Sequence, residues 1–166
     1  MIYVLYGQPA SGKTSLGILL ADYFNTPFVI DGDEFREMFK NKNYDRRGRE
    51  ENIKNGNAVA TYLNKKGKRE DWLAIYCKKE DGLQGRPVKE GSDVIMCIVN
   101  PYEDLRQELK NNNQGQVIEI FLQSSRDLRK EYHVKDFEIG DPEYTLRTDT
   151  SIEESWKNLK IILDIN

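Results

Sequence analysis

Long apolar runs are missing from this chain of 166 residues, and nothing in it approaches the roughly 18 consecutive apolar residues of a membrane-spanning helix. A basic stretch followed by an apolar core, the mark of a secretory leader, is missing from the N-terminus, where Ile2-Tyr3-Val4-Leu5-Tyr6 reads at once as a strand. The expectation is a cytoplasmic protein with no membrane partner. Cysteine is scarce: Cys77 and Cys97 lie in apolar runs without metal-ligand spacing and read as reduced thiols rather than a disulfide. His133, the only histidine, has no partner at motif spacing and reads as a loop residue. Excess positive charge is absent too. The net charge of -3 gives no general attraction to nucleic acid and leaves room only for a local basic patch. Neither an internal repeat nor a second-domain linker is visible, so the length implies one domain, large enough to bury a core.

What is present begins directly behind the first strand. Gly7-Gln8-Pro9-Ala10-Ser11-Gly12-Lys13-Thr14 fits G-x-x-x-x-G-K-[ST], the phosphate-binding loop of nucleoside triphosphate enzymes. Such a loop needs a strand to deliver it and a helix starting at its end, so that backbone N–H groups and the positive helix terminus face the phosphates. Both flanks comply. Glycines permit close backbone approach to a phosphate, the lysine bridges β- and γ-phosphates, and the threonine hydroxyl ligates Mg²⁺. Residues Gly7 to Ser15 are therefore the candidate ATP-binding set, with Lys13 catalytic and Thr14 a ligand of Mg²⁺.

Leu16, Leu19, Leu20, Tyr23 and Phe24 repeat at helical spacing, predicting a helix over 14–24 that Asn25-Thr26-Pro27 stops. Phe28-Val29-Ile30 reads as a short buried strand, and strand–helix–strand opens a parallel α/β sheet whose ligands gather at the carboxyl strand ends. That places Asp31 and Asp33 beside the phosphate loop. Taken alone, Asp31-Gly32-Asp33 reads first as a turn capping a helix over 34–40. Beside a triphosphate, the same carboxylates suit a Mg²⁺ shell ligand and a base for an acceptor hydroxyl. Residues 41–50 look like a polar, basic loop, and a helix is expected from about Arg49 to Lys66, with Ile53, Val59, Ala60 and Leu63 spaced for burial. Arg36, Arg46, Arg47 and Arg49 suit an anionic substrate, although spacing alone favours a solvated loop.

These residues together resemble the adenylyl-sulfate kinase family. Asp31-Gly32-Asp33 with Arg36, then Tyr44, then Arg49-Glu50-Glu51-Asn52-Ile53-Lys54 is similar to that family's D-G-D-x-x-R, aromatic, and R-x-E-N-I-R segments, at matching offsets. Ile98-Val99-Asn100-Pro101-Tyr102 with Arg106 is similar to its F-I-S-P-Y segment, and the strands near 117–122 and 141–150 continue the likeness. The resemblance implies a P-loop fold of about five parallel strands flanked by helices. It implies ATP- and Mg²⁺-dependent phosphorylation of the ribose 3′-hydroxyl of adenosine 5′-phosphosulfate, a small nucleotide substrate. By position, Arg36, Arg49 and Asn52 would hold the phosphosulfate and ribose, and Tyr44 would stack on the adenine. Asp33 would orient the acceptor hydroxyl and share the metal with Thr14, and Asp31 would serve the Mg²⁺ water shell or order the loop. The family is often dimeric, which raises the expectation of a homodimer.

Three departures stand out. Asn100 occupies the serine position of F-I-S-P, so a covalent phosphoryl intermediate on that hydroxyl is not available, and Asn100 becomes a substrate-binding candidate. The family's long lid is reduced to Tyr132-His133-Val134-Lys135-Asp136-Phe137, with Lys135 and Phe137 as candidate remnants of substrate contacts. Residues 68–91 read as an insertion at the amino edge of the sheet, where Trp72 and Tyr76 would either anchor a docking arm or pack on the domain. Two other readings stay open: the same fold acting on another hydroxyl of a nucleotide, modified base or polynucleotide end, and a non-catalytic ATP-binding module. Further on, a helix is expected over 102–110 with Asn100-Pro101 as its cap. Ser125 to Tyr132 is expected as a short basic helix whose Arg126 or Arg129 either touches ATP or is solvated, and a last helix is expected over 152–163.

Overall fold

A computed structural model describes residues 1–66, 93–126 and 128–166. The expected insertion, with Trp72, Tyr76 and Cys77, lies outside the described residues. Among the described residues, five strands form one sheet, β1 (Ile2–Tyr6), β2 (Val29–Asp31), β3 (Val94–Cys97), β4 (Val117–Gln123) and β5 (Tyr144–Arg147), in the order β2-β3-β1-β4-β5. Every pairing is parallel, with Val4 opposite Met96 on one side and Glu119 on the other. The helices are α1 (Lys13–Phe24), α2 (Gly32–Met38), α3 (Arg46–Lys66), α4 (Glu103–Asn112) and α5 (Ile152–Ile162).

The first strand shows why the chain must be layered. It is buried along its whole length, and its side chains alternate between faces. Ile2, Val4 and Tyr6 join Ile53 and Ala60 of α3 and Leu105 and Leu109 of α4 on one side. Tyr3 and Leu5 meet Leu16 and Leu20 of α1 and Leu159 of α5 on the other. Helix α1 packs so closely on β3 that a Cβ on Gly17 would lie 2.1 Å from the Cys97 sulfur. The buried face of α3 also carries Asn57 and Asn64, which apolar periodicity does not reveal. Their amides donate to the Leu105 carbonyl at 2.9 Å and to Asn113 Oδ1 at 3.2 Å, tying α3 to α4 and the turn after it.

Several boundaries differ from expectation for local reasons. Helix α3 begins at Arg46, inside the stretch expected as a loop, because the Asp45 carboxylate accepts from the Gly48 N–H at 2.7 Å and Arg46 pairs with Glu50 at 2.8 Å. Helix α4 is not capped by Asn100-Pro101; the Glu103 N–H donates instead to Glu138 Oε2 at 2.7 Å. The short basic helix expected over 125–132 is replaced by one 3₁₀ turn, Lys130–Tyr132. Arg129 sits in the left-handed region at φ 55°, and the Ser125 N–H is taken by Asp149 Oδ1 at 2.7 Å. The last helix is as expected, with Ser151 accepting from the Glu154 N–H at 3.2 Å. No helix among the described residues is long and apolar enough to cross a membrane.

Candidate active site

The carboxyl ends of β1, β2, β3 and β4 share one edge, and two cavities open there. The first, about 340 Å³, is floored by Ala10 and Gly12 to Leu16, with Thr148, Thr150 and Ser155 opposite. The loop turns at Gly7, where a Cβ would lie 2.4 Å from the Leu122 carbonyl oxygen, and at Gly12, with φ 90°. No side chain caps α1, so its first N–H groups remain for an anion in this cavity. The Thr148 hydroxyl donates to the Ser11 carbonyl at 2.9 Å and props the loop from β5. Lys13 lies folded into the loop, its ammonium donating to the carbonyls of Gly7 at 3.1 Å and Gln8 at 2.7 Å. Burial pulls its pKa down to about 8, against the attraction of Asp33 and Asp31.

Asp31 does two of its expected jobs at once. One carboxylate oxygen caps α2, accepting from the N–H groups of Asp33 at 2.9 Å and Glu34 at 3.4 Å. The other accepts from the Thr14 hydroxyl at 2.6 Å. Thr14 therefore faces Asp31, whereas the metal pair expected from the sequence was Thr14 with Asp33. Asp33 points elsewhere, with Oδ2 at 3.6 Å from Arg129. Both members of that pair are mostly exposed, so it contributes under about 1 kcal/mol and exchanges readily for another partner.

The second cavity, about 320 Å³, brings Asp33, Arg36, Tyr44, Arg49, Asn52 and Asn100 together. The Arg36 guanidinium lies 4.4 Å from the Tyr44 ring centroid, and that of Arg49 lies 5.8 Å from it. Backbone carbonyls aim both cations: Arg36 donates to Asn43 at 2.6 Å, and Arg49 to Tyr44 at 2.8 Å and Tyr132 at 3.1 Å. Burial, then the neighbouring charge of Arg49, pushes the Arg36 pKa below its usual range, so an anion beside Arg36 would be favoured there. Asn52 donates to the Gly32 carbonyl at 3.1 Å, which fixes its oxygen as an acceptor, and that buried oxygen has no partner among the described residues. Asn100, fully buried at φ 45°, has neither amide atom paired among the described residues. Its carbonyl accepts from Arg106 at 2.7 Å.

Lys13 and Arg129 line both cavities. Arg129, Arg126 and Tyr132 are the residues that spacing undervalued: they reach the edge through an irregular segment with no periodicity to read. Arg126 lines the first cavity and donates to the Thr148 carbonyl. Tyr132 stands 5.4 Å from Tyr44, ring centroid to centroid. The expected lid remnants are placed differently. Phe137 stacks on Tyr6 at 6.3 Å and packs against Phe121 in the core, and Lys135 is exposed; neither lines either cavity. Among the loop residues, Pro9 faces the second cavity, and the Gln8 amide is bonded to Val134.

No protein family and no curated protein matches the sequence. Among solved structures, the fold is similar to the APS kinase CysC of Mycobacterium tuberculosis in complex with AMPPNP and APS, with TM-score 0.69 and 17% identity over 98% of this chain and 96% of that one. It is also similar to a gluconokinase from Sinorhizobium meliloti, with TM-score 0.55 and 16% identity over 98% and 90% of the two chains. A shikimate kinase from Aquifex aeolicus gives TM-score 0.54 and 18% identity over 99% and 96%. At these identities the shared property is the fold, that of a P-loop kinase.

Proposed function

We propose that the protein transfers the terminal phosphoryl group of ATP to a hydroxyl of a small anionic nucleotide, with the ribose 3′-hydroxyl of adenosine 5′-phosphosulfate as the favoured acceptor. The observation that carries this reading is that two cavities of similar size meet at Lys13 and Arg129. A triphosphate on the phosphate loop and a hydroxyl in the second cavity would then meet between two cations, and phosphoryl transfer depends mainly on positioning and charge neutralisation.

The side chains divide the work. Lys13 would leave the Gly7 and Gln8 carbonyls for the more negative phosphates, and Arg129 would neutralise charge from the opposite side. Asp33, released from Arg129, would orient the acceptor hydroxyl and take its proton. Thr14 and Asp31 supply a hydroxyl and a carboxylate, hard oxygen donors that suit Mg²⁺, and they would hold it with phosphate oxygens and water. Bound there, Mg²⁺ supplies charge neutralisation on the triphosphate. Arg36 and Arg49 would take the phosphosulfate, and Tyr44 would stack on the adenine.

A second acceptor remains in view because of Asn100 and Asn52. Their unpaired atoms at the cavity wall ask for a neutral group that donates and accepts hydrogen bonds, which a sugar or polyol hydroxyl also provides. ADP formation measured with ATP and Mg²⁺ alone, then with adenosine 5′-phosphosulfate, nucleosides, sugars and oligonucleotides, separates these. Stimulation by adenosine 5′-phosphosulfate beyond all the others supports the favoured acceptor. Stimulation by a neutral hydroxyl compound alone replaces it, and ATP binding without turnover on any acceptor supports a non-catalytic module.

A further inference from the structure

The phosphate loop needs no particular side chain at the position after its first glycine, yet Gln8 is held at both ends. Its backbone carbonyl accepts from the Lys13 ammonium at 2.7 Å. Its side-chain amide donates to the Val134 carbonyl at 2.8 Å and accepts from the Val134 N–H at 2.9 Å. One primary amide thus satisfies both backbone groups of one buried residue, as a neighbouring strand would.

On either side of Val134 the chain is anchored unequally. Beyond it, the Glu138 N–H donates to the Pro101 carbonyl at 2.8 Å, and Arg106 donates to the carbonyls of Glu138 at 2.8 Å and Ile139 at 3.0 Å. The Tyr6 hydroxyl adds a bond to Ile139 at 2.6 Å, and Phe137 packs beneath. Before it, the contacts of the stretch from Leu128 to His133 lie at the surface, among them the Arg129–Asp33 pair, a bond from Arg49 to the Tyr132 carbonyl at 3.1 Å and the Tyr132 ring against Tyr44 at 5.4 Å. That exposed stretch carries Arg129 and Tyr132.

We infer that Gln8 is a positioning residue that couples the occupancy of the phosphate loop to the stretch covering the acceptor cavity. The inference rests on the kinase reading and adds to it the route by which a bound donor prepares the acceptor side. Donor phosphates draw Lys13 off the Gln8 carbonyl, and the loop settles around them. The Gln8 amide passes that adjustment to Val134, whose far side is fixed. The remaining freedom lies in Leu128 to His133, so Arg129 and Tyr132 are the groups repositioned.

Amide hydrogen exchange with AMPPNP as the probe tests this on the full chain, using wild type, Gln8→Met and Gln8→Glu. Methionine keeps the volume and removes both hydrogen bonds. Glutamate still accepts from the Val134 N–H but no longer donates to its carbonyl. In wild type, AMPPNP should slow exchange from Leu128 to Val134 about tenfold, the scale expected from one or two neutral hydrogen bonds. In Gln8→Met, at AMPPNP concentrations that saturate the variant, the slowing should vanish, and with adenosine 5′-phosphosulfate kcat should fall about tenfold through Arg129 as KM rises through Tyr132. Gln8→Glu should lie between, and it decides the matter if the methionine variant does not fold. Equal slowing in all three proteins with AMPPNP bound overturns the coupling alone. Failure of wild type to bind AMPPNP overturns the kinase reading, and the coupling falls with it.

Discussion

The first cavity, proposed for the donor, is floored by the helix start at Ala10 and Gly12 to Leu16, whereas the second, proposed for the acceptor, is lined from five separate stretches of chain. Backbone donors at a helix start bind phosphate whatever the neighbouring side chains, so phosphate binding in the first cavity should rest mainly on its glycines, Lys13 and Thr14. The second depends on Arg36, Tyr44, Arg49, Asn52 and Asn100 each keeping its direction. On the proposed function, it is therefore where the substrate would be chosen.

The largest effect should come where the two cavities join. Lys13→Ala should lower turnover with any acceptor by at least about a thousandfold, measured as ADP formation, because it removes the charge facing the transferred group. Asp33→Asn should lower kcat about a hundredfold and leave donor affinity, measured by calorimetry, nearly unchanged. An equal loss of donor affinity would move Asp33 to the donor side and break the division. Tyr44→Ala should raise the acceptor KM about tenfold, the scale of one lost stacking contact, without changing the donor KM.

Protonation separates the cavities in another way. Lys13 has a pKa of about 8 against an ordinary 10.5, because burial disfavours its charge, and bound phosphates should restore the higher value. Donor binding between those values should therefore take up a proton, and affinity should fall about tenfold per pH unit above pH 8. Calorimetry in buffers of different ionisation enthalpy measures the uptake. The same depression makes the unliganded fold gain stability as pH rises from about 8 to 10.5, since the unfolded chain holds the proton longer. The smallest effect should be that of Asn100→Ser, a few-fold change in acceptor KM, because a shorter hydroxyl replaces an unpaired amide.

The same contrast explains what could be read from the chain alone. The parallel sheet of about five strands follows from strands alternating with helices, and the phosphate loop is contiguous, so both were legible, whereas the strand order β2-β3-β1-β4-β5 was not. Arg36, Tyr44, Arg49 and Asn52 were legible through the family resemblance, although spacing alone favoured a solvated loop for the arginines, and they do share one cavity. Arg129 and Tyr132 were not, because they sit on an irregular turn set by a left-handed residue and by bonds to the distant Asp149. Asp31 was legible as a residue ordering the loop, but the turning of Asp33 away from Thr14 toward Arg129 was not, since spacing does not say where each carboxylate of D-G-D points. Phe137 was misplaced because an aromatic residue in a covering segment looks the same whether it meets ligand or core.

The most direct test is mass spectrometry of the acceptor after incubation of the protein with ATP, Mg²⁺ and adenosine 5′-phosphosulfate. The account predicts one added phosphoryl group on the 3′-hydroxyl, none on the 3′-deoxy analogue, and none with Lys13→Ala. ADP formation that leaves adenosine 5′-phosphosulfate unmodified would contradict it.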